Sequence, residues 1–261
     1  MKKKLKWSLW ILLLIVIVVA VFLVNQHHNQ RAFKGFEISI TYNSTDTFLT
    51  VSDIKEYLNK LGFKKEGQPI SEINTVEIEA QIAQNPYVAH TEVYDKMDGT
   101  VIINIQQSNP IVRIINMNGT HYYLDETGRR MPLNKHYTSH VPIANGYIPT
   151  GYEPDPAINP KDTGTFPRDS LLHKIYLIAK QISKDDFLKA MIEQIYVNEK
   201  NEFELVPKVG DQMILFGDAV NIEDKFENLI YFYRDGMKRK GWDAYSIINL
   251  KYKNQVICTK S

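Results

Sequence analysis

The 261-residue chain is 44% hydrophobic and 23% charged, with a net charge of +1. That composition predicts a folded body of one or two domains, not a disordered chain. It excludes a phosphate-neutralising basic protein, and the single cysteine, Cys258, excludes an internal disulfide framework or a thiolate zinc site built within the chain.

Residues 1–6 carry Lys2, Lys3, Lys4 and Lys6 ahead of "WSLWILLLIVIVVAVFLV", Trp7 to Val24, which has no charge and one polar residue, Ser8. As a helix, this run would be roughly 27 Å long, close to the hydrocarbon thickness of a bilayer. The lysine bias predicts a cytoplasmic N-terminus, with the chain after Val24 outside the membrane. A cleaved signal peptide is the competing reading, but no A-x-A pattern precedes "NQHHNQ". Residues 25–35 then read as a linker, and the adjacent His27 and His28 as solvated members of it rather than metal ligands.

"FEISITYN", Phe36 to Asn43, reads as a strand with Phe36, Ile38 and Ile40 on one face. "TVSDIKEYLNKLGF" reads as a helix: Thr50 and Asp53 form a capping box, Val51, Ile54, Leu58 and Leu61 an apolar stripe, and Gly62 a stop. A second helix is expected over "NTVEIEAQIAQ", capped by Asn74 or Thr75, with Ile78 and Ile82 one turn apart. Tyr87–Tyr94 and Thr100–Gln107 read as strands of a hairpin turning at Asp98-Gly99. Residues 36–107 thus predict an α+β module, two helices on a three-stranded sheet.

That element order, with "NPYV" opening the second strand and "QQSNPIVRI" leaving the third, resembles a POTRA domain. Together with the N-terminal span, and with "NGTHYYLDETGRRMPL" and "VPIANGYIP" following, the chain resembles the FtsQ/DivIB family of bacterial division proteins from the span to Lys260. The resemblance implies that residues 108–261 form a β-rich domain and that the protein is a single-pass type II scaffold of the inner membrane. It also implies partners of FtsB, FtsL and FtsK type.

Residues 147–168 hold Pro149, Pro154, Pro156, Pro160 and Pro167, which predicts an extended surface loop. Asp169 is read as the cap of the helix "SLLHKIYLIAKQIS", on which Leu171, Ile175, Ile178 and Ile182 keep helical spacing. His173 is a packed or surface residue of that helix. "IEQIYVNE", "EFELVPKVG" and "QMILFG" predict an antiparallel meander broken at Lys200-Asn201 and Gly210-Asp211. Asn221 is read as the cap of a last helix running to about Lys240, its buried face formed by Phe226, Leu229, Ile230 and Tyr233.

No H-E-x-x-H, G-x-S-x-G, Walker or dinucleotide-binding motif occurs. The acid pairs Asp125-Glu126, Asp185-Asp186 and Glu223-Asp224 fall where acids serve turns and helix starts. No catalytic, cofactor or metal residue is therefore expected. An outer-membrane assembly component would need a membrane barrel that the pattern lacks, and an envelope hydrolase would need a nucleophile or metal constellation.

Function then falls to surfaces. In "AYSIINLKYKNQVICTK", Ile248, Leu250 and Tyr252 alternate with Asn249, Lys251 and Lys253, which predicts a terminal strand. It is either the last staple of the fold or a free edge for strand addition. The family resemblance implies the second and places partner contacts on Asn249, Leu250, Lys251, Tyr252, Lys253, Asn254, Gln255 and Val256. Lys251 stands where the family carries an arginine and lacks its planar fork; no aromatic follows Tyr252.

Overall fold

The computed structural model describes residues 7, 10–20, 31–43, 46–63, 67–134, 137–149, 167, 170–237, 241–253 and 255–261. Of the apolar N-terminal run, residues 7 and 10–20 are helical and exposed. Among the described residues no helix is long and apolar enough to cross a membrane. The rest of that run, the His27-His28 pair and nearly all of the proline-rich loop lie outside the described residues.

The chain divides into two compact units, Met1–Tyr42 with Leu49–Gln107, and Asn43–Phe48 with Ser108–Ser261. The first is mixed α+β. Its strands are β1 (Gly35–Thr41), β2 (Val88–Asp95) and β3 (Thr100–Gln107), in the order β1-β3-β2. β1 runs parallel to β3, with Ile38 opposite Ile103, and β2 runs antiparallel to it. The β2–β3 hairpin turns at Gly99, φ +93°, with Thr100 N–H donating to Asp98 Oδ1 at 3.0 Å.

Helix α1 (Val51–Lys60) starts at the expected capping box: Thr50 Oγ1 accepts from Asp53 N–H, and Thr50 N–H donates to Asp53 Oδ2 at 2.8 Å. α2 (Thr75–Ile82) is capped by Asn74, whose Oδ1 accepts from Glu77 N–H. Ile54 and Leu58 of α1 and Ile78 and Ile82 of α2 pack on Val101, Ile103 and Ile105. Each such burial stabilises the unit by about 1.5–3 kcal/mol relative to exposure. Val51 and Leu61, at the ends of the predicted stripe, are more than a third exposed.

The second unit holds a nine-stranded sheet. Its strands are β4 (Pro110–Ile115), β5 (His121–Asp125), β6 (Arg130–Met131), β7 (Ile143–Gly146), β8 (Ile192–Val197), β9 (Phe203–Pro207), β10 (Met213–Gly217), β11 (Tyr245–Asn249) and β12 (Ile257–Lys260). The spatial order is β12-β11-β10-β9-β8-β7-β4-β5-β6. β8, β9 and β10 form the expected antiparallel meander. The short β7, by contrast, runs parallel between β4 and β8.

Helices α3 (Leu171–Lys184), α4 (Asp186–Met191) and α5 (Ile222–Tyr231) close one core with the sheet. Ile175, Ile178, Ile182, Leu188, Phe226 and Leu229 meet Val112, Ile114, Ile195, Leu205, Ile214 and Ile248 there. Three boundaries differ from expectation. The cap of α3 is Ser170, whose Oγ accepts from His173 N–H at 3.2 Å, while Asp169 lies outside the described residues. Asn221 precedes α5 in the left-handed conformation, φ 51°, with no side-chain cap. The last helix leaves the α form at Tyr231 and continues as a π-helical turn over Phe232–Met237, in which Phe232 packs on Tyr245 and Tyr233 on Phe187.

Segment Asn43–Phe48 belongs to the second unit. The Phe48 ring lies edge-on to Tyr123 and Tyr137, at centroid distances of 5.9 and 5.2 Å. The Asp46 carboxylate is buried; Tyr137 Oη donates to its Oδ1 at 2.7 Å and Ser139 Oγ to its Oδ2.

Candidate functional site

The expected terminal strand is not continuous. β11 ends at Asn249, a turn occupies the following residues, and β12 returns antiparallel from Ile257 to Lys260. The cause is local. Asn249 Oδ1 accepts the Lys251 N–H at 3.0 Å, an Asx-type turn that competes with continued extension. Leu250 is still held to the sheet, donating its N–H to Leu215 O of β10 at 2.9 Å, and its side chain is buried. Gln255 N–H then reaches back to Tyr252 O at 3.3 Å.

β11 is therefore flanked on both sides, by β10 and β12, and Asn249 offers no free edge. Alternation alone could not reveal this, because Leu250 remains buried in phase with Ile248. Within this hairpin the strand left with one unpaired side among the described strands is β12, which alternation alone joins to β11. Asn249 and Asn254 carry a signal in the sequence, since asparagine favours turns.

The named residues divide accordingly. Tyr252 is 55% exposed and Lys253 is exposed, both on the connection. Gln255 is exposed, Val256 is half-buried against the core, and Asn254 lies outside the described residues. Lys251 Nζ contacts Glu202 Oε2 at 2.5 Å, an ion pair about one third exposed at each end. The ammonium holds the Glu202 carboxyl below its usual range. On β12, Ile257 is 46% exposed, while Cys258 faces the core side and is half-buried, with burial pushing its thiol pKa up.

Leu250, Lys251, Tyr252 and Lys253 form one wall of a cleft of about 140 Å³, and the start of α5 with Asp218 forms the other. Beneath it Lys225, nearly buried, donates to Asp218 Oδ1 at 2.8 Å and Asp218 O at 2.9 Å. Its ammonium also stands 4.9 Å from the Phe216 ring centroid. This pairing lowers the Asp218 pKa. Lys225 and Asp218 carry no sequence signal as a pair, because their meeting depends on how α5 sits on β10.

Two of the three acid pairs have structural partners, and Glu223-Asp224 lies in the first turn of α5. Asp125 Oδ1 accepts from Thr127 N–H, Thr127 Oγ1 and Arg129 N–H in the β5–β6 turn, and Asp185 caps α4 through Leu188 N–H. Among the described residues no group of three or more His, Cys, Asp or Glu could hold a metal ion.

Two family models match the chain. Residues 32–106 match the POTRA-like domain, and residues 109–259 match the family described as FtsQ/DivIB, C-terminal related. No curated protein matches. Because the second match covers more than half of the chain and the two follow one another in the order of the two units, the chain belongs to the FtsQ/DivIB family.

Proposed function

We propose that this protein is a membrane-anchored, non-enzymatic scaffold of the bacterial divisome. Residues 7–24 cross the inner membrane with the N-terminus in the cytoplasm, and both units work outside it. It recruits single-pass division proteins of FtsB and FtsL type through the C-terminal hairpin, and FtsK-type proteins are further partners. Membership of the FtsQ/DivIB family supports a divisome role.

The observation that carries the binding mode is the position of β12 at the end of the nine-strand order, paired with β11 alone among the described strands. An edge strand presents unpaired N–H and C=O groups, so a partner strand can extend the sheet. Tyr252, exposed on the adjoining connection, is of the residue type that dominates binding energy at interfaces.

The test uses the full chain in detergent or nanodiscs and the extracytoplasmic segment of an FtsB/FtsL-type partner. Tyr252→Ala is expected to weaken binding at least tenfold, equivalent to about 1.4 kcal/mol, with an unchanged thermal midpoint. Unchanged affinity for Tyr252→Ala and for a chain lacking residues 257–261 would refute the hairpin as the binding site.

A further inference from the structure

The first unit carries a second surface, at the end where the chain enters it. Phe33, Phe36 and Phe63 line a cleft of about 340 Å³ together with Lys34, Lys55 and Asn59. Phe33 and Phe36 meet edge-to-face at 4.9 Å, and Phe36 and Phe63 are partly buried against the core. Lys55 and Asn59 stand one turn apart on α1 and line the same cleft as Lys34. Neither Lys34 nor Lys55 is in an ion pair among the described residues, whereas Lys60 and Lys96 are matched by Glu56 and Glu37. Asp98 has its carboxyl pKa lowered, first by the Thr100 backbone hydrogen bond and in smaller part by the charge of Lys34.

The β2–β3 hairpin tip is locked beside this cleft. Arg31 donates its guanidinium to Met97 O, and Lys34 N–H donates to Gly99 O at 2.9 Å. A side chain on Gly99 would strike the Ala32 carbonyl, so the approach requires glycine. The Met97 side chain is left 73% exposed at the tip.

We infer that this end of the POTRA-like unit docks on the membrane by binding anionic lipid headgroups. Lys34 and Lys55 take the phosphodiester, the phenylalanine floor takes the glycerol and first methylenes, and Met97 enters the interface. The inference rests on the anchored reading above. Only residues 25–31 separate Val24 from Ala32, a tether of at most about 25 Å at full extension. With residues 7–24 in the bilayer, that covalent limit keeps the cleft within reach of the headgroups. Two ammonium groups outside any ion pair among the described residues, beside apolar surface, suit an anionic lipid, which offers both charge and hydrocarbon at one place.

The test uses the full chain with Met97→Cys in a Cys258→Ser background, labelled with an environment-sensitive fluorophore and placed in nanodiscs. Discs hold phosphatidylcholine alone or with phosphatidylglycerol, plus a nitroxide lipid as quencher. Quenching is expected with phosphatidylglycerol only, and Lys34→Gln or Lys55→Gln should each reduce the docked-to-free ratio about fivefold. Lys208→Gln, in the other unit, should leave the ratio unchanged. Equal quenching in neutral discs, or none in either, overturns the inference, as does indifference to the two lysine variants. The two readings separate on alkaline extraction. A chain that stays in the membrane yet shows no phosphatidylglycerol-dependent quenching sinks the docking surface alone, and a chain that washes off sinks the anchor and the surface together.

Discussion

Lys251 and Glu202 hold the C-terminal hairpin to the turn before β9: Nζ and Oε2 are 2.5 Å apart, and the lysine stem lies over Gly217. A Cβ at Gly217 would sit 2.9 Å from Lys251 Cγ, so glycine makes room for the aliphatic stem to cross β10. The residue expected to contact a partner is thus also committed within the fold. Losing its charge should loosen the connection that presents Tyr252 more than it unfolds the unit.

For Lys251→Gln, the expected loss of global stability is small, as for exposed ion pairs generally. Amide exchange at Tyr252 and Gln255 should quicken. The pH dependence has a definite sign. Glu202 has a depressed carboxyl pKa in the folded state, so its contribution is present above the unfolded carboxylate range and is lost as pH falls through the folded value. Wild-type and variant midpoints should therefore differ near neutrality and converge in acid. A constant gap down to the lowest pH would show that the pair is not what stabilises the connection.

A proline scan of Ile257, Cys258, Thr259 and Lys260 tests strand addition directly. In an antiparallel edge strand, successive N–H groups point alternately to the neighbour and to the open side. Proline at the positions facing β11 breaks the hairpin, while at the others it removes only donors that a partner strand would use. Partner binding with a retained fold should therefore be lost at every second position. Variants that fold and bind normally at both outward-facing positions would exclude backbone pairing there.

Much of this architecture was legible because its causes are local. The Thr50–Asp53 capping box, the Asp98-Gly99 hairpin and the β8–β10 meander each follow from a few neighbouring residues. Other features were not legible. β7 is a four-residue strand whose place between β4 and β8 is set by partners distant in sequence. The break after Asn249 hides inside a continuing apolar alternation, since Leu250 is held by β10 while the chain is already turning. That second point moves the candidate edge from β11 to β12. The first unit's lysine and phenylalanine cleft was likewise hidden, because it joins β1 to α1 across a loop.

The Asp46–Tyr137 bond should matter to the second unit out of proportion to its size. Asp46 is buried, and removing a donor from a buried carboxylate costs about 1–3 kcal/mol. Tyr137→Phe should lower the midpoint of that unit, and Ser139→Ala should do the same. Bonding to Asp46 raises the Tyr137 pKa, so the phenol keeps its proton beyond the ordinary tyrosine range. That contribution is complete below the usual phenol pKa and disappears as pH rises through the folded value. A calorimetric scan in which Tyr137→Phe matches wild type at neutral pH would show the bond to be dispensable.

Asn221 offers the sharpest separation of two physical roles at one position. Sequence reading makes it a side-chain cap, yet it sits at φ 51° and its side chain makes no cap bond. What α5 asks of this residue is tolerance of the left-handed conformation, which asparagine and glycine share and most residues do not. Asn221→Gly should leave stability within about 0.5 kcal/mol of wild type or raise it. Asn221→Ser keeps a good capping hydroxyl but fits that backbone poorly, and should lose about 1 kcal/mol. A capping role predicts the reverse order, with serine equal to wild type and glycine a few tenths of a kcal/mol worse. Denaturant midpoints of the two variants, measured side by side on the full chain, decide between them. The result also bears on binding, because Asn221 lines the cleft beside Tyr252 and should alter partner affinity only where the start of α5 has moved.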